Sequence, residues 1–376
     1  MVPPEVLAAM AGPVCGHLDP AFLALLDRVQ DDLRRLWRTS NERTFPLSGT
    51  GSAGMEACFA NLVEDGDEVV VGVNGVFGTR MAEVAERLGA RVVRVEAPWG
   101  RIIEPEALEK ALSGCRRPRI VAVVHAETST GVWQPLEGLG ELARRYEALL
   151  LVDTVTSLGG CPVEIDAWGI DACYSATQKC LSVPPGLAPV TFGPRAMERI
   201  ESRRERPRSW YLDVRLIGDY LGQRRVYHHT APISMISGLA AGLELIFEEG
   251  VEERFARHER NHRGLMAGLG VLGLTPTAAE GHRLWMLNAV AVPEGVDEAA
   301  VRGALLERHG IEIGAGLGPF AGKVWRIGLM GASSREEYVR RLLLALACEM
   351  SPPARDGAAL GRDAVAAADE EFRRRR

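Results

Sequence analysis

Five short apolar runs rich in β-branched residues punctuate the first half of the chain: "EVVVGV" (68–73), "RVVRV" (91–95), "RIVAVV" (119–124), "LLLVD" (149–153) and "LAPVTF" (187–192). Between them lie amphipathic stretches of helical length, such as "FGTRMAEVAERLG", "EPEALEKALSG" and "LEGLGELARRYEA", each closing near a glycine or a polar turn. Strands that are apolar throughout and are separated by helices predict an α/β fold, a mostly parallel sheet covered by helices on both faces. From about residue 250 the pattern changes to a long polar helix, the run "RLWMLNAVAV", a helix near 297–309 and short strands around "IEIGA" and "KVWRIGLM", which predicts a smaller C-terminal α+β domain. The chain has 376 residues, and single cores usually split above roughly 250 to 300. The expected division is a large domain with its N-terminal segment over 1–249, a small domain over 250–352, and a flexible tail over 353–376, where large apolar side chains are almost absent.

Charge and cysteine usage exclude several classes. Net charge is -6, and the last four arginines form the one basic block, so no nucleic-acid groove is expected. The first cationic side chain is Arg28 and no apolar run reaches the roughly 18 residues of a membrane span, so neither a secretory signal nor a membrane anchor is expected, and the location should be cytoplasmic. Seven cysteines include no Cys-x-x-Cys pair and six lie in or beside apolar stretches, as packing thiols in the reduced state would. The adjacent His228 and His229 lack further ligands at metal spacing, and no metal is expected.

"SGTGSAG" (48–54) has the Gly-x-Gly-x-x-Gly spacing of a dinucleotide loop. Its lead-in "RTFPL" is interrupted by Pro46, and the next strand ends at Val73-Asn74-Gly75 without the carboxylate that would hold a ribose. No lysine follows the glycines, which argues against a nucleotide P-loop. Glycines opening the helix "AGMEACFANLV" still offer free N–H groups and a positive dipole end to a single phosphate, although a tight turn with a bare helix cap has the same sequence.

Of 44 basic residues only Lys110, Lys179 and Lys323 are lysines. Lys110 and Lys323 fall in a helix and a glycine turn where solvation is easy. Lys179 lies in "CYSATQKCLSVPPGLAPV", amid Cys, Leu, Val and Pro, where a desolvated amine becomes a nucleophile; the competing explanation is a lysine snorkelling from an edge strand. A Schiff-base lysine and a phosphate loop together point to pyridoxal 5'-phosphate, which also needs a carboxylate to keep its ring nitrogen protonated. Asp153, at the end of "LLLVD", stands where ligands gather in a parallel sheet, a position equally open to a plain helix cap.

The stretches "LSGTGSAGMEA", "VNGVFGTR", "HAETSTG", "LLLVDTVTSLGG", "YSATQKCLSVPPGLAPVTF", "YHHTAPISM" and "GLGPFAGKVWRIGLMG" resemble the alanine-glyoxylate and serine-glyoxylate (serine-pyruvate) aminotransferases of the class V, fold-type I pyridoxal-phosphate group, from about Pro3 to Leu344. The resemblance implies that Lys179 forms the Schiff base and Asp153 binds the ring nitrogen. Phe77 would stack on one ring face, where relatives often carry tryptophan, and Val155 would pack on the other. Thr50, Gly51, Ser52 and Gln178 would cup the phosphate, Thr128 would approach the ring hydroxyl, and Arg326 would bind the substrate carboxylate. Tyr227 and Thr230 would reach the phosphate of a neighbouring subunit, so the family site requires a homodimer. Relatives also carry a Gly-Pro-Gly-Pro segment ahead of the residues matching "VPPEVLAAM", and weaker substrate binding is expected than in a chain extended upstream.

The activity implied is transfer of the amino group of alanine or serine to glyoxylate or pyruvate. A ureidoglycine-glyoxylate aminotransferase of purine catabolism shares the same motifs. A cysteine desulfurase needs a reactive cysteine on a mobile loop of the second half, whereas Cys348 lies in the helical "LLLALACEM". A non-catalytic member of the fold is opposed by the presence of Lys179, Asp153 and Arg326. Taken alone, Arg326 could instead pair with a buried carboxylate.

Overall fold

The computed structural model describes residues 1–222, 224–350 and 356–374. Nine strands fall in the first half: β1 (Arg43–Ser48), β2 (Glu68–Val73), β3 (Arg91–Glu96), β4 (Pro118–Val124), β5 (Ala126–Glu127), β6 (Val132–Trp133), β7 (Leu149–Asp153), β8 (Ala172–Tyr174) and β9 (Leu187–Phe192). Seven of them form one sheet in the order β1-β9-β8-β7-β4-β2-β3, while β5 and β6 make a small hairpin. The pairings from β8 through β7, β4 and β2 to β3 are parallel, and β9 alone runs against its two neighbours. Strands β2, β4 and β7 are buried along almost their whole length, which is why their sequences read as unbroken apolar runs. The edge strand β3 instead exposes Arg91, Arg94 and Glu96, charges that discourage edge-to-edge pairing.

Two features depart from the sequence expectations in this half. β1 continues through Pro46, because an edge strand can lose one ladder donor without breaking. β8 is only three residues long and carries no apolar run of its own.

Helices α1 (Pro4–Met10) and α2 (Pro20–Trp37) precede the sheet, α3 (Gly51–Leu62), α4 (Val76–Arg87), α5 (Pro105–Gly114), α6 (Leu139–Arg145) and α7 (Ile165–Trp168) connect its strands, and α8 (Pro194–Glu201) follows its last one. After them come α9 (Val214–Leu221) and α10 (Ile233–Glu249), the latter packed on α1 and α2. Gly250, at φ 87°, turns the chain from α10 into α11 (Val251–Val271). A second sheet follows, built from β10 (Leu287–Ala291), β11 (Gly314–Ala315) and β12 (Val324–Gly328) in the antiparallel order β10-β12-β11, with α12 (Glu298–His309) and α13 (Glu336–Met350) against it. Leu265, Val290, Leu305, Trp325 and Leu343 are among the residues of its separate apolar core.

The expected flexible tail is not what the structure contains over its described part. Gly357–Arg373 form a seventeen-residue helix, α14, capped by Asp356, whose side chain accepts from Ala359 N. Its small face (Gly361, Ala364, Ala368) lies on α11 and α13, with Ala364 and Ala368 fully buried. Residues 353–355 and 375–376 of that segment lie outside the described residues.

Candidate active site

β1, β2, β4, β7 and β8 all end on one side of the large sheet, and the segments that follow them meet there. Ligands in open parallel sheets gather at this end. Nine of the expected residues (Thr50, Gly51, Ser52, Phe77, Thr128, Asp153, Val155, Gln178 and Lys179) line a single cavity of about 150 Å³, so residues spread over 130 positions of sequence converge on one small volume.

The glycine loop is explained by close packing. Gly49 sits at φ +141°, in a conformation that side chains rarely adopt, and turns β1 into α3. A Cβ at Gly51 would lie 2.8 Å from Ala176 Cβ and 3.3 Å from Val155 Cγ2, so this glycine lets the start of α3 press against the segments after β7 and β8. The N-cap Thr50 makes no side-chain capping bond, and the N–H groups of Gly51 and Ser52 have no carbonyl one turn earlier within the helix. A phosphate-sized anion matches those donors and the helix dipole.

Asp153 ends β7 and is 4 % exposed. Its Oδ1 accepts from Val155 N at 2.8 Å and its Oδ2 from the Tyr174 hydroxyl at 2.7 Å. Burial pushes its pKa up to about 6, against the pull of those two donors. Among the described residues it has no ion-pair partner, although buried carboxylates are normally paired. The missing cation is what a protonated ring nitrogen would supply, and the pyridoxal-phosphate assignment fits these residues on that ground.

Lys179 lies in the loop joining β8 to β9, and its Nζ has no hydrogen-bond or ion-pair partner among the described residues. Burial is the main cause that lowers its pKa; Arg326 acts the same way, and Cys180 and Asp153 oppose. The loop is braced from two sides. Thr177 Oγ1 donates to Pro184 O at 2.7 Å, and Ser182, at φ 59°, closes a turn by donating its N–H to Lys179 O at 3.0 Å. From α11, Arg254 donates to Cys180 O at 2.7 Å and Gly159 O at 2.9 Å while paired with Glu249. His258 fixes the adjoining Gly331 turn: its Nε2 accepts from Gly331 N at 2.9 Å, which leaves Nδ1 to donate to Arg254 O at 2.7 Å.

Phe77, in the first turn of α4, is held by Glu127. That fully buried carboxylate accepts from Phe77 N at 3.0 Å and Gly78 N at 3.2 Å with Oε2, and from Ser129 N and Oγ with Oε1. Arg326 stands just outside the cavity, on the central strand of the second sheet; its Nε donates to Ala315 O at 2.7 Å and its Nη1 reaches Thr128 O at 3.4 Å. It has no carboxylate within ion-pair distance among the described residues, so the guanidinium is half-buried yet free to take an anion.

Tyr227 and Thr230 are exposed and do not line this cavity. Tyr227 is 61 % exposed and its ring meets those of His17 and Tyr220, while the next residues form a relay from His228 Nδ1 to His229 Nδ1 at 2.8 Å and from His229 Nε2 to Ser48 Oγ at 2.9 Å. Cys348 is an exposed residue near the end of α13, not on a loop. Among the described residues there is no group of three or more potential metal ligands, and no helix is long and apolar enough to cross a membrane.

Five cavity residues carry no role from the sequence: Met55, Arg80, Ala126, Thr156 and Tyr174. Arg80 is one turn beyond Phe77, with its guanidinium 5.3 Å from the phenyl centroid, and helical spacing from Phe77 could have found it. Tyr174 pairs in register with Asp153 across β7 and β8, which no local sequence signal reveals.

Comparison with known proteins agrees with this geometry. The family model described as aminotransferase class-V matches residues 11–338. An (S)-ureidoglycine–glyoxylate transaminase of Bacillus subtilis is 40 % identical, with 92 % of this chain and 87 % of the relative covered. An alanine–glyoxylate aminotransferase of Drosophila melanogaster is 39 % identical, with 91 % and 88 % covered. The crystal structure of an alanine–glyoxylate aminotransferase from Nostoc sp. superposes with a TM-score of 0.91 at 50 % identity, covering 93 % of each chain.

Proposed function

This chain belongs to the class V aminotransferases and is a pyridoxal-phosphate-dependent transaminase, and from that premise we propose that it moves the amino group of alanine or serine to glyoxylate or pyruvate. The observation that carries the residue assignments is that an amine with no hydrogen-bond or ion-pair partner among the described residues, Lys179, and a buried carboxylate with no cation paired to it, Asp153, line one small cavity.

Bound pyridoxal phosphate supplies an aldehyde and a ring that draws electrons from the substrate carbon. Thr50, Gly51, Ser52 and Gln178 would hold its phosphate at the start of α3, Phe77 and Val155 would flank the ring, and Thr128 would meet the ring hydroxyl. Asp153 would keep a proton on the ring nitrogen. Lys179 would hold the aldehyde through its Nζ, at the place a substrate amine takes over. Its Nζ, with a basicity lowered by burial, would take the proton from the substrate α-carbon and pass it on to the bound group, so that the amine ends each half of the reaction as it began it. Arg326 holds the substrate carboxylate in a planar fork, which sets the bond to be broken across the ring plane.

Tyr227 and Thr230 complete the phosphate site of a second copy, in a homodimer with shared sites. Their exposure, together with that of Trp210 at 62 % and Tyr211 at 42 %, supports that assembly. Seven unpaired cysteines support a cytoplasmic, reducing location. The B. subtilis relative favours ureidoglycine as a second donor reading.

The cofactor-loaded protein should be yellow, and borohydride should fix the chromophore to the peptide containing Lys179. A reduced pyridoxyl group mapped to Lys110 or Lys323 would refute the site. Half-reactions against alanine, serine and ureidoglycine, followed at the cofactor absorption bands, separate the donor readings.

A further inference from the structure

We propose that Tyr174 is a positioning residue that acts through Asp153: its hydroxyl donates to Asp153 Oδ2 at 2.7 Å and holds the carboxylate in the orientation and charge that a protonated ring nitrogen requires. The proposal rests on the assignment of Asp153 to that nitrogen.

Tyr174 is the last residue of β8, is fully buried, and lies directly beside Asp153 in the parallel pairing of β7 and β8. Its backbone is pinned, because Tyr174 O accepts from Thr154 N at 2.9 Å and from Thr154 Oγ1 at 3.0 Å. Above it, α3 comes so close at Gly54 that a Cβ there would lie 3.1 Å from Tyr174 Cβ, so the side chain has little room to swing. Tyr174 is also among the residues that line the cavity, beside Asp153.

The carboxylate beside it has two protein donors, one on each oxygen: Val155 N and Tyr174. Those bonds fix its plane and leave a remaining acceptor direction for the cavity. Val155 N belongs to the backbone and is present whatever the side chain, so Tyr174 is the adjustable member of the pair. Its own phenol is pushed far above the usual range, by burial first and by Asp153 as well, and it therefore remains a donor at every working pH. Lys179 and Arg80 also favour the charged form of Asp153, whereas Glu127, Cys58 and Cys173 would oppose it as like charges. None of those five is hydrogen-bonded to Asp153 among the described residues, which makes Tyr174 the only side chain that both charges and aims it.

The test removes one oxygen atom. Cofactor-free wild type and Tyr174→Phe are titrated with pyridoxal phosphate and with an analogue carrying C–H in place of the ring nitrogen. The variant should bind pyridoxal phosphate roughly 10- to 100-fold more weakly, as expected for losing a hydrogen bond to a charged group, and should bind the analogue as wild type does. Adding Tyr174→Phe to Asp153→Asn should cost nothing further. The pH at which the bound cofactor changes its absorbance should move in Tyr174→Phe. Equal weakening for both cofactors, or additive losses in the double variant, would overturn the proposal and leave Tyr174 as packing alone. If the phenylalanine variant does not fold, 3-fluorotyrosine at position 174 keeps the shape and makes the hydroxyl more acidic; an unmoved absorbance profile then overturns the proposal and a displaced one supports it. A wild type that binds both cofactors equally tightly would instead show that Asp153 does not serve the ring nitrogen.

Discussion

Replacing Asp153 by asparagine should stabilise the cofactor-free protein while it slows the chemistry. An exposed aspartate titrates near 3.8, and burial raises Asp153 to about 6. At 1.36 kcal/mol per pH unit, the fold therefore resists ionising this group by about 3 kcal/mol. The sign follows from proton counts: between those two pKa values the folded state keeps a proton that the unfolded state has released, so stability falls as pH rises through the interval. Below about pH 4 the group is neutral in both states and nothing is lost; near pH 5 roughly half of the penalty is present, and above pH 7 all of it. Asparagine carries no such charge, and its amide can accept from Val155 N while donating to the Tyr174 hydroxyl. Urea unfolding of cofactor-free wild type and Asp153→Asn should thus give an advantage to the variant of about 3 kcal/mol at pH 8 that shrinks to about half at pH 5. The same variant, loaded with cofactor, should lose turnover by orders of magnitude. A wild type as stable as the variant at pH 8, or a gap that does not change with pH, would refute the claim that Asp153 waits as an uncompensated buried charge.

Two further outcomes follow from the second half of the chain. Arg326→Lys should lower kcat/KM for alanine and glyoxylate by about 2 to 4 kcal/mol, since an ammonium cannot form the planar fork; simple amines without a carboxylate should be nearly unaffected, and a uniform loss across both classes would mean that Arg326 is structural. Ending the chain at residue 350 removes α14 from the faces of α11 and α13, where Phe372 packs over Gly264 and under Arg340, and should cost on the order of 3 kcal/mol, read as an earlier urea transition with the cofactor spectrum unchanged before it.

The central strands were legible because burial on both faces forces continuous apolar sequence, and β2, β7 and β9 fall on the very runs that announced them. β8 was not, since three residues leave no period to detect. Lys179 was legible through scarcity: a chain that spends arginine on its surface marks a lysine by using one. α14 was lost for a physical reason. Its packing face is largely Gly361, Ala364 and Ala368, with Gly361 against Leu344 and Ala347 of α13 and Ala364 beside Gly268 of α11, so the helices come close through small residues and Phe372 is the one large aromatic side chain it adds. A search for large apolar residues misses an interface of that kind. Of the site, the individual residues were visible in motifs, but the partnership of Tyr174 with Asp153 depends on strand pairing across 21 positions, which sequence patterns do not encode.

The reversal of β9 shapes how the lysine does its work. Because β9 returns antiparallel to β8, the loop bearing Lys179 begins and ends at the same edge of the sheet, with both ends fixed in the ladder. The loops that carry Thr50 and Phe77 leave a strand and run off into a helix. An amine suspended between two fixed posts does not diffuse away when a substrate displaces it. Under the proposed role it would stay beside the bound group, at an effective concentration far above that of any amine in solution. Turnover thereby becomes an exchange between a visitor and a resident, and the resident always has the shorter way back.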